Sequence, residues 1–254
     1  IDVGYDLAFL LMDLDVRVGR AAANRVMNRY LARSGDWGLV AFLPVFLSMR
    51  AMVRAHVEAA RGSAVASSGY LARALEYLRP AQPCVVAIGG LPGAGKSTVA
   101  RAIAPELGAA PGAVILRSDE IRKRQAGVAP EQRLAQAAYA PAISAAVFAE
   151  IVRAAAAMAA GGHGVVADAT YMDAGHRAAI AAAAATVAFC GVWLEVRLAE
   201  LERRVAARTG DASDADLAVL RRAAVAGAGA GDWLAVDGTD TAGLLRELAA
   251  AGVV

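Results

Sequence analysis

Residues Gly90–Ser97 read Gly-Leu-Pro-Gly-Ala-Gly-Lys-Ser and fit G-x-x-x-x-G-K-[ST] at every fixed position. Few stretches limit a fold so strongly. The spacing needs a strand that curls tightly and runs straight into a helix, because only then do successive backbone N–H groups converge on one phosphate. Glycines supply the positive φ angles of the curl. The flanks agree: CVVAIG (84–89) is an unbroken apolar run, and a helical stretch starts near Lys96. The expected nucleotide contacts are Gly90, Leu91, Pro92, Gly93, Ala94, Gly95, Lys96, Ser97 and Thr98. Lys96 should reach the β- and γ-phosphates and Ser97 should hold Mg²⁺, so ATP and Mg²⁺ are the implied cofactors.

The rest of the chain falls into two textures. From Cys84 on, short apolar runs at 84–89, 113–117, 164–169, 187–195 and 233–237 alternate with alanine-rich helical stretches. Continuous apolar strands separated by helices predict an α/β fold with a parallel sheet covered on both faces. Residues 1–79 instead read as helices only, with Gly35 stopping one and Pro44 starting or kinking another. RGSAVASSG (61–69) reads as a loop, and YLARALEYLRP as a short helix ended by Pro80. The boundary falls at 80–83. Ala178–Leu194 has the length of a membrane span but reads as a helix followed by a buried strand. No leader is visible at the N-terminus, and Cys84 and Cys190 read as small buried residues of a reducing cytoplasm. A net charge of +2 gives no global drive toward nucleic acid or membrane.

Three further stretches carry candidate chemistry. Asp119, in VILRSDEIRKR, sits where a strand passes into a helix, the ligand-facing edge of a parallel sheet. There it can take a proton from an attacking hydroxyl; alternatively Ser118 or Asp119 caps the helix. Arg122, one turn on, can hold a polar or anionic group of the substrate. In VVADATYMD, Asp168 ends a strand and either orients Mg²⁺ or pairs with a basic group, Arg122 being one candidate. Thr170 can assist with a substrate or phosphate oxygen, and Asp173 caps the next helix. Arg204 and Arg208, four residues apart on one helical face, either close over the nucleotide as a lid or form a solvated basic face. Ser213 is read as the cap of the helix that follows.

Together, GLPGAGKST, RSDEIRK, DAT and RRVAARTGDASDAD resemble the AAA-family ATPase and predicted kinase group, related to polynucleotide kinases and zeta-toxin-like kinases, over about residues 84–240. The resemblance implies a P-loop kinase fold with strand order 2-3-1-4-5. It also implies Asp119 as general base, Arg122 as a substrate contact, and Arg204 and Arg208 as lid residues. IDVGYDLAFLLMDLD and ANRVMNRYLARSGD resemble the end of an aminoglycoside-phosphotransferase-like domain fused ahead of such kinases, but the HGD-type catalytic motif of that family is absent. Residues 1–79 are therefore expected to be a helical remnant, with Asp2 and Asp6 structural, and residues 80–254 a P-loop kinase domain.

The expected activity is transfer of the γ-phosphate to a hydroxyl of a small molecule, without a membrane partner. A nucleotide-operated regulatory module and a polynucleotide 5′-hydroxyl kinase are the alternatives. Aromatics at 6% and near-neutral charge weigh against the nucleic-acid version, which needs stacking platforms and a basic groove.

Overall fold

The computed structural model describes residues 2–207, 211–227, 229–238 and 240–253. Five parallel strands form one sheet in the order β2-β3-β1-β4-β5. They are β1 Cys84–Gly89, β2 Val114–Arg117, β3 Val165–Asp168, β4 Ala188–Glu195 and β5 Leu234–Asp237, each within one residue of its apolar run. The doubly covered sheet follows from the strand sequences. Val85 and Ala87 of β1 enter one core, while Cys84, Val86 and Ile88 enter the other. Both faces are apolar, so both must be buried.

On one face lie α7 (Pro141–Ala160), α8 (Ala174–Ala183) and an N-terminal group of helices. That group comprises α1 (Val3–Arg17), α2 (Arg20–Ser34), α3 (Leu43–Ala60) and α4 (Ala64–Tyr77). The other face carries α5 (Lys96–Ile103), α9 (Leu198–Ala207), α10 (Leu217–Val225) and α11 (Thr241–Ala250). The stretch Trp37–Ala60 and α7 have the length and hydropathy of membrane spans. Both contribute to the same core, α3 through Leu43, Leu47 and Ala51, and α7 through Val147, Ile151 and Ala154. Ala178–Leu194 divides as expected, with α8 ending at Ala183 and β4 starting at Ala188.

The local signals in the N-terminal helices operate largely as read. Asp2 caps α1 by accepting from the Gly4 N–H at 2.7 Å, and Asp6 pairs with Arg50 at 2.8 Å. Gly35 ends α2 in the left-handed region at φ 68°. One expectation fails: residues 64–69 are not loop but the first turns of α4. Their weak propensity is overridden by packing of α4 along α3, where the Arg54 guanidinium lies 5.4 Å from the Tyr70 ring centre.

The N-terminal helices share a continuous core with the sheet: Leu11, Met12, Met27 and Leu31 cluster with Val85, Val114 and Val165. Helix α2 also closes the open edge of β2. Asn28 Oδ1 accepts from the Ile115 N–H at 2.7 Å, and the Asn24 and Asn28 amides donate to the Ala113 carbonyl at 3.0 and 3.2 Å. Two side chains thus satisfy an edge that would otherwise present unpaired backbone groups. Asn28→Ala removes the partner of a buried N–H and is expected to cost about 1–3 kcal/mol, read as a lower urea midpoint.

Candidate active site

The carboxyl ends of β1, β2 and β3 bring three of the sequence motifs together. After Gly89 the chain turns through Gly90, Gly93 and Gly95, at φ 140°, 87° and 93°, and enters α5 at Lys96. Lys96 Nζ donates to the carbonyls of Gly90 and Leu91 at 2.9 and 3.1 Å, so the ammonium lies across the mouth of the loop. Helix α9 packs directly on the loop. A side chain at Gly93 would meet Val205 Cγ2 at 3.0 Å, and Arg204 Nη1 lies 3.8 Å from where a Gly95 Cβ would be. Arg204 is held there by Glu200, at 2.6 Å. Arg208 lies outside the described residues. Thr98 follows on the first turn of α5 and is exposed.

Asp168 ends β3, beside Ile88 of β1 on one side and Arg117 of β2 on the other. Ser97 Oγ donates to its Oδ2 at 2.5 Å. A hydroxyl and a carboxylate side by side are hard oxygen donors that fit Mg²⁺. Among the described residues no group of three His, Cys, Asp or Glu side chains forms a cation site, so phosphate and water oxygens would complete the coordination. Thr170 holds the base of the loop through its carbonyl, which accepts from the Gly90 N–H at 3.2 Å. Asp173 caps α8, accepting from the His176 N–H at 3.0 Å.

The basic partner of Asp168 is Arg117, not Arg122. Arg117 Nε lies 3.6 Å from Asp168, Nη2 2.7 Å from Asp211 and Nη1 3.9 Å from Glu120. Burial opposes the Arg117 charge, but the carboxylates of Asp168, Asp211 and Asp119 outweigh it and raise its pKa.

Asp119 lies in the first turn of α6 (Ser118–Gln125), which starts without any side-chain cap, so capping does not account for this acid. Arg117, Asp168, Lys96 and Ser213 all act on its charge. Burial is the largest influence and pushes its carboxyl above the ordinary range, with Asp168 adding to the rise and Arg117, Lys96 and Ser213 opposing it. Ser213 is not the cap of α10, which begins at Leu217. Asp216 caps α10 instead, accepting from the Val219 N–H at 2.9 Å.

The family model described as AAA domain matches residues 85–225, more than half of the chain. The chain belongs to the AAA domain family. Uncharacterized proteins of Mycobacterium tuberculosis and Mycobacterium bovis are each 32% identical over 254 residues, covering 94% of this chain and 49% of theirs. The chain thus spans about half the length of these curated relatives. Among solved structures, a gluconokinase of Sinorhizobium meliloti 1021 covers 66% of the chain and 91% of its own length at 22% identity and TM-score 0.45. A sugar kinase of Janibacter sp. covers 68% and 96% at 18% identity and TM-score 0.45. The tunicamycin resistance protein of Deinococcus radiodurans covers 68% and 98% at 14% identity and TM-score 0.46.

Two regions flank the loop of this AAA domain. On the β4–β5 side a cavity of about 750 Å³ is lined by Leu91, Trp193, Glu195, Arg197, Glu200 and Arg204. On the β2 side, Arg122 donates from Nη1 to the Ala138 carbonyl at 2.7 Å and lies 4.7 Å from the Tyr139 ring centre. Its Nε is buried without a partner.

Arg117 was missed in the sequence, and its only signal is a charge at the end of an apolar run. In the AAA domain it faces four acids, so removing it strands the buried Asp168 carboxylate beside three partly buried ones. Arg117→Met is expected to lower stability by about 3–5 kcal/mol in denaturant unfolding, far more than a surface substitution.

Proposed function

We propose that this AAA domain is an ATP-dependent phosphotransferase that moves the γ-phosphate to a hydroxyl of a small-molecule acceptor. One observation carries the reading: Asp119, in the first turn of α6 and without a capping role, lies near enough to Lys96 and Asp168 for both to act on its charge. A nucleotide holder needs the loop; it does not need an acid opposite it.

In this reading the triphosphate lies along residues 90–98 and the nucleoside occupies the cavity beside Trp193 and Arg197. Lys96 exchanges its loop carbonyls for phosphate oxygens. Mg²⁺, when bound by Ser97 with Asp168 on the metal or its waters, neutralises charge on the β- and γ-phosphates. Asp119 takes the hydroxyl proton as the acceptor oxygen bonds to the γ-phosphorus and the bond to the β,γ-bridging oxygen breaks, releasing ADP. Arg204, with Arg208, offsets the charge that develops on the transferring group. Arg122, through its unpaired Nε, and Thr170 orient the acceptor. γ-Labelled ATP incubated with a metabolite extract tests the reading: label should enter a new small molecule. Label recovered only in ATP and inorganic phosphate would reject it, and label entering 5′-hydroxyl oligonucleotides would favour the polynucleotide alternative.

A regulatory role for the nucleotide is the second reading, favoured by the seam between α2 and β2. Helix α2 grips the strand that leads to Asp119 through Asn24 and Asn28. ATP binding should then change hydrogen exchange within residues 1–79, and unchanged exchange would remove this reading. We also infer that residues 1–79 end a preceding phosphotransferase-like domain and that 80–254 form the kinase unit. A cytoplasmic setting, where ATP and free thiols such as Cys84 and Cys190 coexist, accords with the same reading.

A further inference from the structure

Beyond α9 the chain returns along the carboxyl edge of the sheet toward β2 and α6, and its polar side chains find partners there. Asp211 pairs with Arg117, and Ser213 comes near enough to Asp119 to act on its charge. Asp214 reaches deeper. Its Oδ1 lies 3.0 Å from Lys123 Nζ, and its Oδ2 accepts from the Tyr139 hydroxyl at 2.8 Å and from the Leu134 N–H at 2.9 Å. The side chains of Lys123 and Asp214 are only 1% and 9% exposed. Lys123 also donates to the Pro130 carbonyl at 2.9 Å. Arg122 completes the cluster over Tyr139.

One carboxylate therefore joins the segment 211–216 to α6 and the segment 130–139, both at least 75 residues away from Asp214 in sequence. A buried ion pair gains little stability over apolar side chains of the same size, so stability alone does not explain this arrangement. What it does fix is geometry. Both joined segments lie beside Asp119 and Arg122, on the side of the loop away from the nucleoside cavity.

We propose that Asp214 is a positioning residue that clasps residues 130–139 to residues 211–216 and closes the acceptor side of Asp119 to bulk water. The inference rests on the phosphotransferase reading and adds to it a guard against hydrolysis. Water is the competing acceptor: its oxygen would bond to the γ-phosphorus, the bond to the β,γ-bridging oxygen would break, ADP would leave, and the proton would pass through Asp119 to solvent. A closed wall admits the bound acceptor and excludes that reaction.

The test compares Asp214→Asn and Tyr139→Phe with the wild type in the full-length protein, with ATP and Mg²⁺ and no acceptor. Phosphate release should rise by about tenfold in Asp214→Asn and by a smaller factor in Tyr139→Phe, with ATP affinity within about twofold. Hydrogen exchange of residues 126–140 should rise in parallel. A role confined to stability would lower every rate and raise none. If Asp214→Asn does not fold, Tyr139→Phe carries the same readout with a single hydrogen bond removed. Unchanged or slower phosphate release in the folded variants overturns the clasp, as does unchanged exchange of 126–140. The labelled-transfer assay on the wild type separates the two ideas. A labelled product together with unchanged hydrolysis in the variants rejects the clasp alone. No labelled product from any extract rejects the phosphotransferase reading, and the acceptor role of the clasp with it.

Discussion

Asp119→Asn is expected to lower turnover on the acceptor by about 10²–10⁴ while leaving ATP affinity within about twofold. The amide keeps the size of the carboxylate, but it cannot take up a proton. The loss should therefore fall on kcat and not on nucleotide binding. The pH profile gives an independent check. Burial, reinforced by Asp168, holds the Asp119 carboxyl above the ordinary aspartate value near about 4. The base works only when ionised, so the rate should fall on the acid side at a higher pH than an exposed aspartate would give. That acid limb should be missing from whatever activity Asp119→Asn retains. Wild-type turnover in the variant would remove Asp119 from the chemistry.

Lys96→Met should be nearly as damaging, lowering kcat by about 10²–10³ and also weakening ATP binding. Lys96 Nζ already lies against the Gly90 and Leu91 carbonyls, so a short swing brings it onto phosphate oxygens without moving the loop backbone. Titration calorimetry and steady-state kinetics on one preparation separate its binding and catalytic shares. The two substitutions should differ in kind: Lys96→Met affects both ATP affinity and rate, Asp119→Asn the rate alone. Equal ATP affinity in Lys96→Met and the wild type would mean that the triphosphate does not occupy the loop.

The two signatures came from different kinds of information. The loop was legible because each fixed residue answers a local need: glycine where φ is positive, lysine and serine where the helix begins. The strands were legible because both faces of the sheet are buried, which leaves five continuous apolar runs. Their order came only through family resemblance.

What could not be read was register. Asp168 was expected to orient Mg²⁺ or to pair with a basic group, Arg122 being one candidate; the basic group beside it is Arg117, because both end neighbouring strands. Arg122 lies one turn into α6 and reaches Ala138 and Tyr139 instead. Ser213 reads as the cap of the helix that follows, but Asp216, directly before Leu217, takes that place. The acids of GDASDAD had no visible partners in the sequence, because Arg117, Lys123 and Tyr139 lie more than 70 residues away. Long-range pairs of this kind are set by topology, and local pattern carries no trace of them.

The central claim is spatial: the γ-phosphate of a bound nucleotide should lie between Lys96 and Asp119. A crystal structure with Mg²⁺ and a non-hydrolysable ATP analogue measures this directly. The account predicts the terminal phosphate on Lys96, the metal on Ser97, and the Asp119 carboxylate facing the phosphorus with space for a hydroxyl between them. A triphosphate bound to the loop with its terminal phosphate directed away from Asp119 would contradict it.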